Sequence, residues 1–187
     1  MIRYLVTDGS AAADEQAWLD RLDIAVDIIQ IREPWLATRR LAEVAREVLH
    51  RTAARVLIRV LINDRVDVAL AVGAHGVHLK SGSLPVNEYR KITPSGFLIS
   101  VACHSVEEVR RAAGQGADYV LLAPIFPPRS KTDVRAPLGV DALGRAAHFG
   151  IPVIALGGIT EENAALCVSA GAAGVAGISL FQRAGKR

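Results

Sequence analysis

The chain has 187 residues, enough for one domain with a sizeable core and too few for two ordinary ones. Hydrophobic residues make up 51% and charged residues 22%, which excludes a disordered chain, and no apolar run reaches the roughly 18 residues of a membrane span. The formal net charge is +3, spread over short pairs such as Arg39-Arg40 and Arg110-Arg111, and aromatics are only 5%, so a nucleic-acid interface is not indicated. The mild positive balance suits small phosphorylated substrates instead. The start, Met1 to Asp8, shows no secretory signal, and Cys103 and Cys167 have neither metal nor disulfide-framework spacing, so a cytoplasmic protein is the simplest expectation.

Short runs rich in Val, Ile and Leu alternate with helical stretches along the whole chain. The first predicted strand is Arg3 to Thr7, followed by a helix over Asp14 to Leu22. Next come a strand over Asp27 to Arg32 and a helix over Leu36 to Leu49, then a strand over Val56 to Asn63 and a helix over Val66 to Val72. Gly76 to Leu79 and Phe97 to Cys103 are the fourth and fifth strands, with a helix over Asn87 to Ile92 between them. Ser105-Val106-Glu107-Glu108 reads as a capping box opening a helix to Gln115. Tyr119 to Pro124, a helix over Leu138 to His148, Pro152 to Leu156, a helix over Glu161 to Ala170 and a last strand over Gly174 to Ile178 complete the series. The strands are continuously apolar rather than alternating, as when both faces are buried. Eight such units predict one α/β domain over residues 1–187, a compact (β/α)₈ TIM barrel, short in its loops and with at most a stub of an eighth helix.

In such a barrel, functional groups gather where strands end. Gln30 and Arg32 close the second strand, and the planar fork of Arg32 suits a diphosphate. Asn63 and Asp64 close the third; Asp64 is either a Mg²⁺ ligand or a helix cap. His78 and His104, after the fourth and fifth strands, are candidate proton carriers or hydrogen-bonding walls. Ser130 and Lys131 lie in the loop after the sixth strand. Gly157 and Gly158 follow the seventh, where paired glycines let backbone N–H groups approach an anion, and Ser179 with a helix starting beside it would add to that phosphate site. Arg59 points to the far, structural face, and Cys103 is a small apolar residue.

Several segments, taken together and in order, resemble the thiamine phosphate synthase/TenI superfamily. They are Gln30-Ile31-Arg32-Glu33, Leu61 to Leu70, Gly76-Val77-His78-Leu79, Pro124-Ile125-Phe126-Pro127, Ser130-Lys131, Leu138-Gly139 and Ala155 to Thr160. The resemblance implies a (β/α)₈ barrel, commonly dimeric, which leaves a homodimer open. In the synthase branch it implies that Gln30, Arg32, Asn63, Asp64 and Lys131 serve a pyrimidine diphosphate and Mg²⁺, while Gly158 and Ser179 hold thiazole phosphate.

The sequence departs from the synthase pattern at several places. Pro34 stands where the resemblance implies Lys, Ser83 stands near an implied second metal carboxylate, and Pro128 replaces a phosphate-binding Thr. One carboxylate and one cation fewer weaken a Mg²⁺–diphosphate site, so the sequence favours the TenI-like branch: a thiazole tautomerase, needing no metal, with His104, His78 or Lys131 as the catalytic group. Against it, the tautomerase histidine falls at Pro124. The alternatives are a divergent Mg²⁺-dependent thiamine phosphate synthase and a non-catalytic sensor that keeps the phosphate pocket. In each case the expected ligand is a small thiamine-pathway phosphate, with no nucleic acid or membrane partner.

Overall fold

A computed structural model describes residues 1–21, 25–54, 57–127 and 135–181, without the side chains of residues 20 and 21. Eight parallel strands close into one barrel in sequence order: β1 (Ile2–Val6), β2 (Ile28–Ile31), β3 (Arg59–Asn63), β4 (Gly76–Leu79), β5 (Leu98–Cys103), β6 (Tyr119–Leu122), β7 (Val153–Ala155) and β8 (Gly174–Gly177). The register offsets around the ring close on a shear of eight, the value of a (β/α)₈ barrel. Seven described helices cross between them: α1 (Glu15–Arg21), α2 (Thr38–Thr52), α3 (Val66–Val72), α4 (Val86–Arg90), α5 (Val106–Gly114), α6 (Val140–Ala147) and α7 (Glu161–Ser169).

The continuous apolar character of the strands has a direct cause. Residues such as Leu5, Ile29, Val60, Ile62, Val77, Ile99, Val120 and Val153 face outward under the helices, in one core with Val44, Ala69, Val109 and Leu143. Alternate residues Tyr4, Val6, Ile28, Leu61, Leu121, Ile154 and Ala176 fill the lumen as a second core. The shear stacks the inward residues in layers drawn from alternate strands. Tyr4, Leu61, Ser100 and Ile154 form one layer, and Gln30, His78, Leu121 and Ala176 form the next one toward the strand ends.

The predicted boundaries are corrected at several ends. β3 begins at Arg59, because Leu57 lies in a turn and is exposed; Val56 lies outside the described residues. α2 starts two residues later than expected, after a turn in which the Leu36 N–H donates to the Glu33 carbonyl, and it runs on to Thr52. There the Thr52 hydroxyl donates to the Val48 carbonyl at 2.8 Å, which satisfies it within the last turn. β6 ends at Leu122, not Pro124, since a proline has no N–H for the ladder. After β8 the described residues form bends and a turn to Phe181, so the helix expected beside Ser179 is not present among them.

Caps fix the helices nearest the strand ends. Ser105 accepts from the Glu108 N–H at 3.2 Å, as predicted, while the Glu108 carboxylate reaches back to the His104 N–H at 2.6 Å. Thr160 and Asn163 make a full capping box at α7.

Candidate active site

The lumen is not wholly apolar. Where the upper layers meet, Tyr4, Gln30, Asn63, His78 and Ser100 place polar side chains from five consecutive strands close together. Gln30 Nε2 donates to Asn63 Oδ1 at 2.9 Å, and the Tyr4 hydroxyl donates to Gln30 Oε1 at 3.0 Å. On the neighbouring strands Ser100 Oγ lies 3.0 Å from His78 Nδ1. Tyr4, Gln30, His78 and Ser100 are all buried. Burial drives the Tyr4 hydroxyl pKa upward, so the phenol stays protonated, and pushes His78 down to about 4, so its imidazole is neutral at pH 7.

Above this cluster the strand ends carry charge. Arg32 shares the inward parity of Gln30 and is exposed; its backbone N–H donates to Thr7 Oγ1 at 2.8 Å. Its guanidinium has no ion pair with another described residue, and it lies near enough to His78 to help depress that pKa. Asp64 adopts a left-handed φ of 59°, and its N–H donates to the His78 carbonyl at 2.8 Å, which binds the end of β3 to β4. Its carboxylate is ion-paired with Lys80. Of the predicted residues, Gln30, Arg32, Asn63, Asp64 and His78 are thus brought together on the adjacent ends of β2, β3 and β4. Arg32 forms no ion pair with Glu33 or Asp64: Glu33 is buried and accepts from the Gly9 and Ala11 N–H groups at 3.2 and 3.0 Å, pinning the loop after β1.

The other side of the mouth holds the phosphate candidates. Gly157 and Gly158 both have positive φ, +93° and +66°, and lie against the segment after β6. A Cβ on Gly157 would sit 2.7 Å from Pro124 Cα, and one on Gly158 2.5 Å from the Pro127 carbonyl oxygen, so both positions require glycine. Neither N–H bonds to another described residue. Asn163 Nδ2 donates to the Gly158 carbonyl at 2.9 Å, so the cap of α7 also holds the glycine turn. Ser179 is exposed beyond β8. His104 Nδ1 lies 2.8 Å from the Ala123 carbonyl; a carbonyl only accepts, so this nitrogen carries the proton. Ser130 and Lys131 lie outside the described residues, as does Pro128.

Two hollows lie away from this cluster. One of about 350 Å³ between the loop after β4 and α5 is lined by Lys80, Ser83, Glu108 and Arg111. The other, about 330 Å³, is at the opposite barrel end, where Arg59 and His75 face it, as expected of Arg59. Cys103 is fully buried with its thiol pKa pushed up to about 12 by burial, in keeping with an apolar role. Sequence reasoning missed Tyr4 and Ser100; the available signal was their inward parity in the same lumen layer. It also missed that Glu33 positions a loop and that Lys80 occupies Asp64.

Comparison with known proteins agrees with the geometry. The family profile described as "Thiamine monophosphate synthase" matches residues 3–181. A Methanoculleus marisnigri protein named "Thiamine-phosphate synthase" is 44% identical over 183 residues, covering 94% of this chain and 85% of that protein. A Geobacter sulfurreducens protein named "Putative thiamine-phosphate synthase" is 43% identical over 180 residues, 94% of this chain and 84% of that one. Among solved structures, "Thiamine phosphate pyrophosphorylase" from Pyrococcus furiosus superposes with a TM-score of 0.81 at 30% identity, covering 95% of this chain and 85% of that one. These similarities run through nearly the whole chain and overturn the expectation of a TenI-like thiazole tautomerase, which rested on the departures at Pro34, Ser83 and Pro128. No described helix is long and apolar enough to cross a membrane.

Proposed function

Since the chain belongs to the thiamine monophosphate synthase family, we propose that it is a thiamine-phosphate synthase, a transferase that joins hydroxymethylpyrimidine diphosphate to thiazole phosphate and releases diphosphate. The observation that carries this reading is the placement of the Gln30–Asn63 amide pair, the Arg32 guanidinium and the Asp64 carboxylate on the adjacent ends of β2 and β3. Amides suit the donors and acceptors of an aminopyrimidine ring, and a guanidinium with no carboxylate partner among the described residues suits the diphosphate attached to it.

The reaction breaks the carbon–oxygen bond to diphosphate, and the thiazole nitrogen lone pair forms the new carbon–nitrogen bond. No proton need move to or from carbon. A neutral His78 and a His104 tied to the Ala123 carbonyl are therefore compatible with it, and both serve as walls that orient ligand. Arg32 stabilises the departing diphosphate, joined by Lys131 as the resemblance implies. Gly157, Gly158 and Ser179 hold the thiazole phosphate on the far side of the mouth, with backbone N–H groups as donors.

Mg²⁺ fits the donor set as a diphosphate-bound ion. No group of three or more His, Cys, Asp or Glu side chains that could cage a metal exists among the described residues. Asp64 is nevertheless a hard carboxylate at the mouth, already facing a cation in Lys80. One carboxylate completed by phosphate oxygens and water is a usual Mg²⁺ arrangement. Bound there by Asp64, Mg²⁺ would neutralise charge on the leaving diphosphate. With Asp64 so engaged, Lys80 would be available to face the same phosphates, offsetting the absence of a cation at Pro34.

Arg32→Ala tests the assignment. Thiamine phosphate formation should fall by about two orders of magnitude, in line with the loss of a charge-stabilising donor, while affinity for thiazole phosphate is retained. Normal turnover in this variant would refute the diphosphate placement.

A further inference from the structure

Glu108 does more than cap its own helix. In a capping box the third helical residue takes the N–H of the cap residue itself. Here Ser105 accepts from the Glu108 N–H, but the Glu108 carboxylate reaches past Ser105 to the His104 N–H at 2.6 Å. The same oxygen, Oε2, accepts from the Ser81 hydroxyl at 3.3 Å. One atom on α5 thus ties the loop after β5 to the loop after β4.

The two loops are not held alike. On the β5 side, His104 Nδ1 donates to the Ala123 carbonyl at 2.8 Å, and the Ala123 N–H donates to the Cys103 carbonyl at 3.0 Å, so this loop is fixed between β5 and β6. On the β4 side, Leu79 and Val86 are buried, but Lys80, Ser81, Gly82, Leu84 and Pro85 between them are exposed. Behind this stretch lies the hollow of about 350 Å³, so apolar packing does not hold it against α5. Two hydrogen bonds cross the gap instead: Val86 N–H to Gln115 Oε1 at 3.1 Å at the far end, and Ser81 to Glu108 next to the mouth. Ser81 follows Lys80, whose carbonyl accepts from the Ser83 N–H at 3.2 Å in one turn and whose ammonium is paired with Asp64. A lysine stem is long and flexible, so the point at which its backbone is held limits where the ammonium ranges.

We propose that Ser81 and Glu108 are positioning residues for Lys80: the strut from α5 holds the turn after β4 at the mouth and keeps the ammonium beside the anionic oxygens bound at the Asp64 end. Lys80 acts on the anion, and Ser81 and Glu108 act through Lys80. The identity of that anion as diphosphate rests on the synthase reading.

The test is a double-mutant cycle read by titration calorimetry with inorganic diphosphate and Mg²⁺, on the wild type, Ser81→Ala, Lys80→Ala and the double variant. Ser81 is exposed, and its replacement leaves the Ser105 cap and the Glu108–His104 bond in place. Ser81→Ala should weaken diphosphate binding about threefold, the worth of one modest hydrogen bond, and should add nothing in the Lys80→Ala background. Glu108→Ala should lose at least as much as Ser81→Ala, and Glu108→Gln, whose amide oxygen still accepts, should restore affinity to within about twofold. A role confined to capping α5 predicts no effect of Ser81→Ala, and that result would overturn the inference. So would the same threefold loss with and without Lys80, a Glu108→Gln variant no better than Glu108→Ala, or a wild type that binds no diphosphate. If the cycle behaves as expected but no thiamine phosphate forms, the synthase reading fails while the strut stands; product formation with an additive cycle has the opposite meaning.

Discussion

Replacing His78 should change how stability depends on pH, by an amount the structure sets. Burial in the lumen, with Arg32 nearby, lowers its pKa from 6.5 to about 4. The unfolded chain, where the residue titrates normally, binds more protons than the folded one between those values. The contribution of His78 is therefore fully present above pH 6.5 and is lost as pH falls toward 4. At about 1.4 kcal/mol per unit the complete loss is about 3 kcal/mol, of which about 2 kcal/mol is lost by pH 4.5. The assay is urea unfolding of the wild type and His78→Gln at pH 7 and pH 4.5, at equal ionic strength. Carboxylates titrate alike in both proteins, so the difference between their pH slopes isolates this residue. His78→Gln should be less stable at pH 7, because it disturbs a packed layer, and should lose about 2 kcal/mol less on acidification. Parallel losses would refute the claim that His78 is buried as a neutral imidazole.

Other substitutions separate the two halves of the mouth. Gly158→Ala must hold a left-handed φ and place a Cβ against the Pro127 carbonyl; it should cost about 2 kcal/mol of stability and weaken thiazole phosphate binding at least tenfold by titration calorimetry. Asp64→Asn keeps the shape of the β3 end but removes its carboxylate, so Mg²⁺ stimulation of turnover should be abolished in a metal titration, with thiazole phosphate affinity unchanged. Thr160→Ala removes the side-chain half of the α7 cap and should lower the unfolding free energy by about 1 kcal/mol in a denaturant titration.

The barrel was legible because the strands are buried on both sides and several helices are followed by a glycine of positive φ, such as Gly73, Gly116 and Gly171. Val66–Val72 and Gly76–Leu79 were read to the residue, the latter after Gly73 ends its helix with φ of 69°. Ends were harder where a turn borrows apolar residues: Leu36 looks helical but belongs to the turn held by Glu33, and Leu57 looks like strand but is exposed. Strand-end rules located Gln30, Arg32, Asn63, Asp64 and the two glycines. They did not locate Tyr4 or Ser100, because a polar residue inside a strand reveals its partners only when the register places it in a lumen layer. The branch was misread for a different reason. The departures at Pro34, Ser83 and Pro128 are local, whereas the similarity to the synthases runs through residues 3–181, and the ion pair of Lys80 with Asp64 is not legible in the spacing of the two residues.

The central claim is tested most directly by incubating the purified protein with hydroxymethylpyrimidine diphosphate and thiazole phosphate and measuring thiamine phosphate and released diphosphate together. The synthase reading predicts equimolar formation of the two, dependent on Mg²⁺ and stopped by a chelator. Absence of both products, with thiazole phosphate still bound, would contradict it and leave a phosphate-binding barrel without transferase chemistry.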